Sequence, residues 1–258
     1  MSPANDPAWW TTFFDERYAR VGLHGIPDDA TGEAVTFITD RFDLRPHDLV
    51  FDQCCGVGRL ALPLAARGCR VIGVDLAGAY IDRARADADA RGLRCTFHQA
   101  DAHDFVAPEP CDLALNWFSS VGYDAGDERI PLMLRRAFES LRPGGRLAVE
   151  TVNVARVLAE PRRWHVETVT DERGRAGTLI VEHTLHFDRG MIGMRWTFIA
   201  EDGVRDERYA ETRMWLPHEL GRLVARAGFS DIELIGRPDG EPITASGRRL
   251  VVSGRRPS

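Results

Sequence analysis

Through the first two-thirds of the chain, short apolar runs alternate with amphipathic stretches. Runs at 49–51, 70–74, 94–98, 112–117 and 146–152 have strand length. Between them, 60–66, 79–91 and 128–141 repeat apolar residues at helical spacing, and a further helix near 33–42 is expected over the sheet edge. This alternation predicts a parallel sheet with crossover helices. Leu141-Arg142-Pro143-Gly144-Gly145 reads as the end of a helix followed by a turn into a strand.

Beyond Asn153 the pattern changes to longer runs at 178–188, 191–200 and 204–215, joined by Arg189-Gly190 and Asp202-Gly203. These are expected to be antiparallel strands on tight turns. A helix at 217–227 closed by Gly228, and a last strand pair at 232–235 and 250–252, complete the pattern. The expected fold class is therefore α/β. It is a Rossmann-like, mostly parallel seven-stranded sheet with helices on both faces, plus an antiparallel β insert after the fifth strand.

Composition narrows the partners. The 258 residues carry a formal net charge of −6, and all 33 cations are arginines, scattered in pairs rather than gathered in a stripe. Such a chain is poorly suited to a phosphate backbone, so nucleic acid is not expected as a partner. No apolar run approaches a membrane span and residues 1–7 lack the marks of a secretory signal, so the expectation is a cytoplasmic protein with no membrane partner. Five cysteines, an odd number without a Cys-x-x-Cys pair, read as reduced thiols rather than disulfides or a zinc site. His98, His103 and Asp104 around Asp101 match no ligand spacing, and no metal is expected.

The most specific signal is Phe51-Asp52-Gln53-Cys54-Cys55-Gly56-Val57-Gly58-Arg59, a strand ending in an acid, then a glycine-containing loop entering a helix. Glycines let backbone approach a ligand, and a helix start offers unpaired N–H groups. Seventeen residues past Gly58, Asp75 closes the second strand, where a carboxylate can accept from two ribose hydroxyls. Gly56-Val57-Gly58-Arg59-Leu60-Ala61 also satisfies the dinucleotide fingerprint, which alone is weak. Here Asp52 ends the strand and Gly56 follows four residues later, leaving a carboxylate where a pyrophosphate would need room.

Asp52 to Gly58, Val74-Asp75, Ala100-Asp101-Ala102, the stretch from Asn116 to Tyr123 and Leu141 to Gly145 together resemble the class I S-adenosylmethionine (SAM)-dependent methyltransferases, bacterial small-molecule branch. The tail Asp239-Gly240-Glu241-Pro242, Ser246 and Arg248-Arg249-Leu250 matches the same branch. The resemblance implies SAM as cofactor and methyl transfer to a small-molecule acceptor by in-line displacement. It implies that Asp52, Cys54, Gly56 and Gly58 surround the methionine part and that Asp75, with Leu76, holds the ribose. Asp101 and Ala102 would contact adenine, with Asn116 bordering the site. The expected organisation is a single domain, with an N-terminal helical lid (1–45), a SAM-binding core (46–153), an antiparallel insert covering the substrate (154–216) and a last helix and strand pair (217–258). A monomer or homodimer is expected.

The family pattern has glycine where this chain has Cys54. The expectation is a tolerated substitution in an ordinary backbone conformation; the alternative is an altered SAM pose serving another reaction. Rival readings are therefore an enzyme that cyclises SAM itself, releasing methylthioadenosine, and a non-catalytic SAM-binding subunit.

On the substrate side the candidates are His183 and Tyr123 as catalytic residues. Alternation places His183 on one face with Leu179, Val181, Leu185 and Phe187, and Tyr123 follows the fourth strand. Near the N-terminus Trp10, Phe13 or Phe14, and Tyr18 share helical spacing, and Tyr18 is expected to join the aromatic wall around the sulfonium. Met194, Trp196 and Phe198 share a strand face that can roof the acceptor.

Overall fold

The computed structural model describes residues 9–15, 18–19, 28–123, 129–170, 176–237, 240 and 242–258. Asp239 and Glu241 of the tail motif, and Glu128 at the start of the expected third helix, lie outside the described residues.

Apolar runs become the middle of a seven-stranded sheet. Its first five strands are β1 (Leu49–Gln53), β2 (Arg70–Asp75), β3 (Cys95–Gln99), β4 (Cys111–Asn116) and β5 (Leu141–Val152). They run parallel in the order β5-β4-β1-β2-β3. β11 (Arg249–Arg255) pairs antiparallel with β5, and β10 (Ser230–Arg237) pairs antiparallel with β11 at the edge. β1 is buried along its whole length, as expected of a central strand covered on both faces.

Helices cover the two faces. α2 (Asp28–Arg41), α3 (Ala61–Ala66) and α4 (Gly78–Ala90) pack on one side, around Ile38, Leu64, Ile81 and Leu115. α5 (Arg129–Ser140) and α7 (Pro217–Arg226) pack on the other. In α5 the buried positions Ile130, Met133, Leu134 and Ala137 form one helical stripe. No helix among the described residues is long and apolar enough to cross a membrane.

Leu141 to Gly145 departs from expectation. Rather than forming a turn before the strand, Leu141 already pairs with Cys111. Gly144, at φ +77°, opens a bulge, and regular pairing resumes at Arg146 opposite Leu113.

The insert is a separate four-stranded antiparallel sheet, β6 (Trp164–Thr170), β7 (Ala176–His186), β8 (Met191–Ala200) and β9 (Arg205–Arg213), in chain order. A short helix, α6 (Val154–Ala159), leads into it, with the Asn153 side chain accepting from Ala155 N–H at its start. β6 and α6 were not expected from the pattern. β6 reads Trp-His-Val-Glu-Thr-Val-Thr, polar enough to pass for a loop because most of this edge strand faces solvent. Phe187, expected on the inner face with Leu179 and Val181, lies past the end of β7 and is largely exposed. All five cysteines are free thiols.

Candidate functional site

Parallel sheets bind ligands beyond the carboxyl ends of their strands, where loops diverge. A cavity of about 820 Å³ opens there, running from the ends of β1–β3 to the inner face of the second sheet. Its roof is the N-terminal aromatic segment, with α1 (Trp10–Phe13) flanked by Trp9, Phe14 and Tyr18. Trp9 packs edge-on against Phe13 and Tyr123, and Phe13 and Tyr18 pack against Trp196 of β8. Two clasps hold the segment down. Arg208 of β9 donates to the Phe13 carbonyl and pairs with Asp15 at 2.7 Å, and Tyr80 donates to the Asp15 carbonyl at 2.9 Å. Burial, partly offset by Arg59 and Arg208, pushes the Tyr18 phenol up to about 12.

At the sheet end of the cavity, Asp75 presents its carboxylate from the end of β2. Its two oxygens accept from Gly56 N–H (2.8 Å) and Ala77 N–H (2.9 Å), so it braces both loops and retains lone pairs for a ligand. Burial raises its pKa against the lowering by those N–H groups. Gly56 has φ +56°, and a Cβ there would meet nothing closer than Tyr80 at 4.0 Å. The loop conformation, rather than crowding, calls for glycine.

Asp52 sits beneath this end, 2% exposed, and its Oδ2 finds no hydrogen-bond partner among the described residues. Burial, with Asp75 adding repulsion, pushes its carboxyl up to about 8. A buried carboxyl with one unpartnered oxygen beneath a cavity is a group whose charged form a cationic ligand above it would favour.

Cys54 corrects the expectation of an ordinary backbone. Its φ is +58°, the left-handed region that glycine occupies without strain, so the chain keeps the backbone a glycine would take while carrying a thiol. Burial, reinforced by Asp75, Asp52 and Asp101, raises the thiol pKa, so it is neutral. Cys54→Gly is expected to be about 1 kcal/mol more stable than Cys54→Ala, since both lose the thiol and only glycine relieves the strain. Equal midpoints in urea denaturation would contradict this.

The expected adenine contact is more occupied than the sequence implies. Oδ1 of Asp101 takes both the His103 N–H and its ring nitrogen (2.9 and 2.6 Å), and Oδ2 takes Arg129 (2.9 Å). Burial pushes the carboxyl up, but those partners outweigh it and hold it below the usual range. Asp101, Ala102 and His103 do line the cavity, as do Leu76 and Cys54. Asp52, Gly58 and Asn116 do not. Asn116 is fully buried, with Nδ2 against the Met133 sulfur at 2.9 Å, and the wall beside it is made by Trp117 to Ser120.

That wall contains two successive non-glycine residues at positive φ, Phe118 (+56°) and Ser119 (+68°). Strain of this kind persists only where surroundings over-determine it. Here the surroundings are Glu150 of β5 and Arg249 of β11. Glu150 Oε2 accepts from Phe118 N–H (3.0 Å), and its carbonyl accepts from Ser119 N–H (3.1 Å). Arg249 bonds both carboxylate oxygens at 2.6 Å and donates to Ser119 Oγ at 2.9 Å. Burial would lower the Arg249 pKa, but Glu150 more than compensates and raises it. Sequence reasoning missed this clamp, although a lone acid inside the apolar run Leu147 to Val152 was a visible signal.

Tyr123 lines the cavity, but its hydroxyl donates to the Phe118 carbonyl (3.3 Å) and burial raises its pKa well above the usual phenol range. That leaves it a neutral wall residue. His183 also lines the cavity, and burial, then His165 and Arg162, lowers its pKa, keeping it unprotonated at neutral pH. The polar residues that the cavity brings together at the second sheet thus include His183 and His165, the latter unforeseen in the sequence.

Comparison with known proteins agrees with this geometry. Residues 50–145 match the family described as a methyltransferase domain. The 23S rRNA (uracil(1939)-C(5))-methyltransferase RlmD of Photobacterium angustum is 43% identical over 65 residues, 25% of this chain and 30% of its own. The ubiquinone biosynthesis O-methyltransferase of Azorhizobium caulinodans is 38% identical over 155 residues, 56% of this chain and 57% of its own. The chain therefore spans less than two-thirds of the length of these relatives. Among solved structures, the CcbJ methyltransferase of Streptomyces caelestis superposes with a TM-score of 0.75 at 22% identity, covering 96% of this chain and 99% of its own.

Proposed function

We propose that this chain is a class I SAM-dependent methyltransferase that transfers a methyl group from SAM to a small-molecule acceptor, a reading supported by its matched methyltransferase domain and its fold. SAM supplies a methyl group on a cationic sulfur, a leaving group already activated. The protein's task is then to hold the nucleophile close and in line.

The residues suit that cofactor. Asp75 offers free lone pairs to two ribose hydroxyls while its other pairs brace the Gly56 and Ala77 loops. Asp52, buried beneath the lining with Oδ2 unpartnered among the described residues, acts through space on the cationic amino end of the methionine part, and the aromatic roof suits a sulfonium. Ala102 and the one remaining lone pair of Asp101 are left for adenine. The far end, walled by Trp9, Phe14, Tyr123 and Trp196, suits an apolar or aromatic acceptor. His183 is the group there that can take a proton; Tyr123 is held neutral by burial. We place the enzyme in the cytoplasm, acting on a metabolite rather than on nucleic acid or membrane.

The observation that carries this reading is the buried carboxyl of Asp52, raised to about 8 beneath the sheet end of the cavity whose wall Asp75 lines. At pH 7 it is largely protonated, and a bound ammonium group favours the carboxylate. SAM binding at pH 7 is therefore expected to release up to about one proton, and Asp52→Asn to abolish the release. Calorimetry in buffers of different ionisation enthalpy reads the proton count; proton uptake, or release unchanged in the variant, contradicts the assignment. Product analysis separates methyl transfer, which yields S-adenosylhomocysteine, from cyclisation of SAM, which yields methylthioadenosine.

A further inference from the structure

At the acceptor end, three side chains from two strands form a line that the cofactor does not require. β6 and β7 are antiparallel, with His165 opposite Val181, so His165 and His183 are diagonal neighbours on one face. Nε2 of His183 lies 3.4 Å from Nδ1 of His165, and Nε2 of His165 lies 3.1 Å from Oε1 of Glu167. The ring planes differ by 24° and their centroids are 5.5 Å apart. Facing nitrogens closer than the ring centres, at so small an angle, mean that the imidazoles meet edge to edge along a hydrogen bond.

Chemistry fixes the direction of the chain. A carboxylate only accepts, so Nε2 of His165 carries the proton donated to Glu167. Nδ1 of His165 then holds a lone pair and accepts from Nε2–H of His183. By elimination, Nδ1 of His183 is the bare, basic nitrogen. The geometry points to a Glu167–His165–His183 chain that sets His183 as general base through Nδ1, for an acceptor that must shed a proton as it is methylated, a hydroxyl or an ammonium group. This rests on the reading of the cavity as a methyl-transfer site.

In the step itself, the acceptor's X–H proton passes to Nδ1 of His183 and the bonding pair stays on X. That pair forms the new bond to the methyl carbon, while the carbon–sulfur pair returns to sulfur. The imidazolium so formed shares its charge with His165 and the Glu167 carboxylate, then gives its proton to water once the product leaves. His183 is the catalytic residue; His165 and Glu167 are positioning residues. Glu167 is exposed on an edge strand, so its substitution leaves the core untouched.

Tautomers are readable without the acceptor. Long-range proton–nitrogen spectra of ¹⁵N-labelled protein, saturated with S-adenosylhomocysteine above pH 8, resolve protonated from bare imidazole nitrogens, and His183→Phe assigns the signals. His183 and His165 are each expected with Nε2 protonated and Nδ1 bare. In Glu167→Gln, His165 is expected to lose that preference and His183 to shift to a tautomer mixture. A wild-type His183 protonated on Nδ1, or a His183 spectrum unchanged in Glu167→Gln, would overturn the chain while leaving the cofactor reading intact. Absence of any calorimetric binding of S-adenosylhomocysteine to the same sample would instead remove the functional reading, and this inference with it.

Discussion

Glu150→Ala is expected to lower the unfolding free energy by about 3–5 kcal/mol, the usual cost of leaving a buried ion without its partner. For a chain of this size that is a fall in melting temperature of roughly 10 °C. The reason is local. Glu150 is fully buried and meets Arg249 at both carboxylate oxygens, while its Oε2 and its backbone carbonyl hold the N–H groups of Phe118 and Ser119 at positive φ. Losing the carboxylate strands the guanidinium and takes the acceptor from Phe118 N–H, while the backbone carbonyl still holds Ser119. The double variant Glu150→Ala/Arg249→Leu is expected to lose less than the sum of the single variants, since neither charge is then left alone. A single-variant loss below about 1 kcal/mol would mean that the pair neither anchors the wall nor sustains its strain.

The second large effect concerns binding. Asp75→Asn is expected to weaken SAM by at least about 100-fold, since hydrogen bonds to a charged group contribute about 1.5–3 kcal/mol each and two ribose hydroxyls are at stake. Asparagine keeps the shape but turns one oxygen into a donor. That nitrogen would face Gly56 N–H or Ala77 N–H, donors that Asp75 now satisfies. The loop loosens as well, so thermal unfolding without ligand should accompany the titration. An affinity within a few-fold of wild type would move the ribose elsewhere in the cavity.

The parallel core was legible because its strands are buried on both faces and bounded by glycine and proline. β1, β2 and β4 fall within two residues of their apolar runs. The antiparallel insert was only half legible. β8 (Met191–Ala200) coincides with its apolar run, whereas β6 is half polar and exposed, so no apolar period marks it. Asp75, Gly56 and Cys54 line the cavity, brought there by the local order of their motif. Asn116 and Asp52 lie beneath that lining, since strand alternation buries each, and one sequence does not reveal which face of a central strand meets a ligand. The residues that hold the wall and the acceptor end, Glu150 with Arg249 and His165 with His183, stand 99 and 18 positions apart. Sheet register brings them together, and no local spacing announces it.

On the proposed function, the cleft beyond β1–β3 accepts a nucleoside bearing a charged or formerly charged sulfur. Titrating the purified wild-type protein with S-adenosylhomocysteine in a calorimeter tests it most directly. Saturable binding of one equivalent per chain, competed by SAM and not by NADH, is the predicted result. A flat titration with both sulfur nucleosides, beside clear heat from NADH, would contradict it.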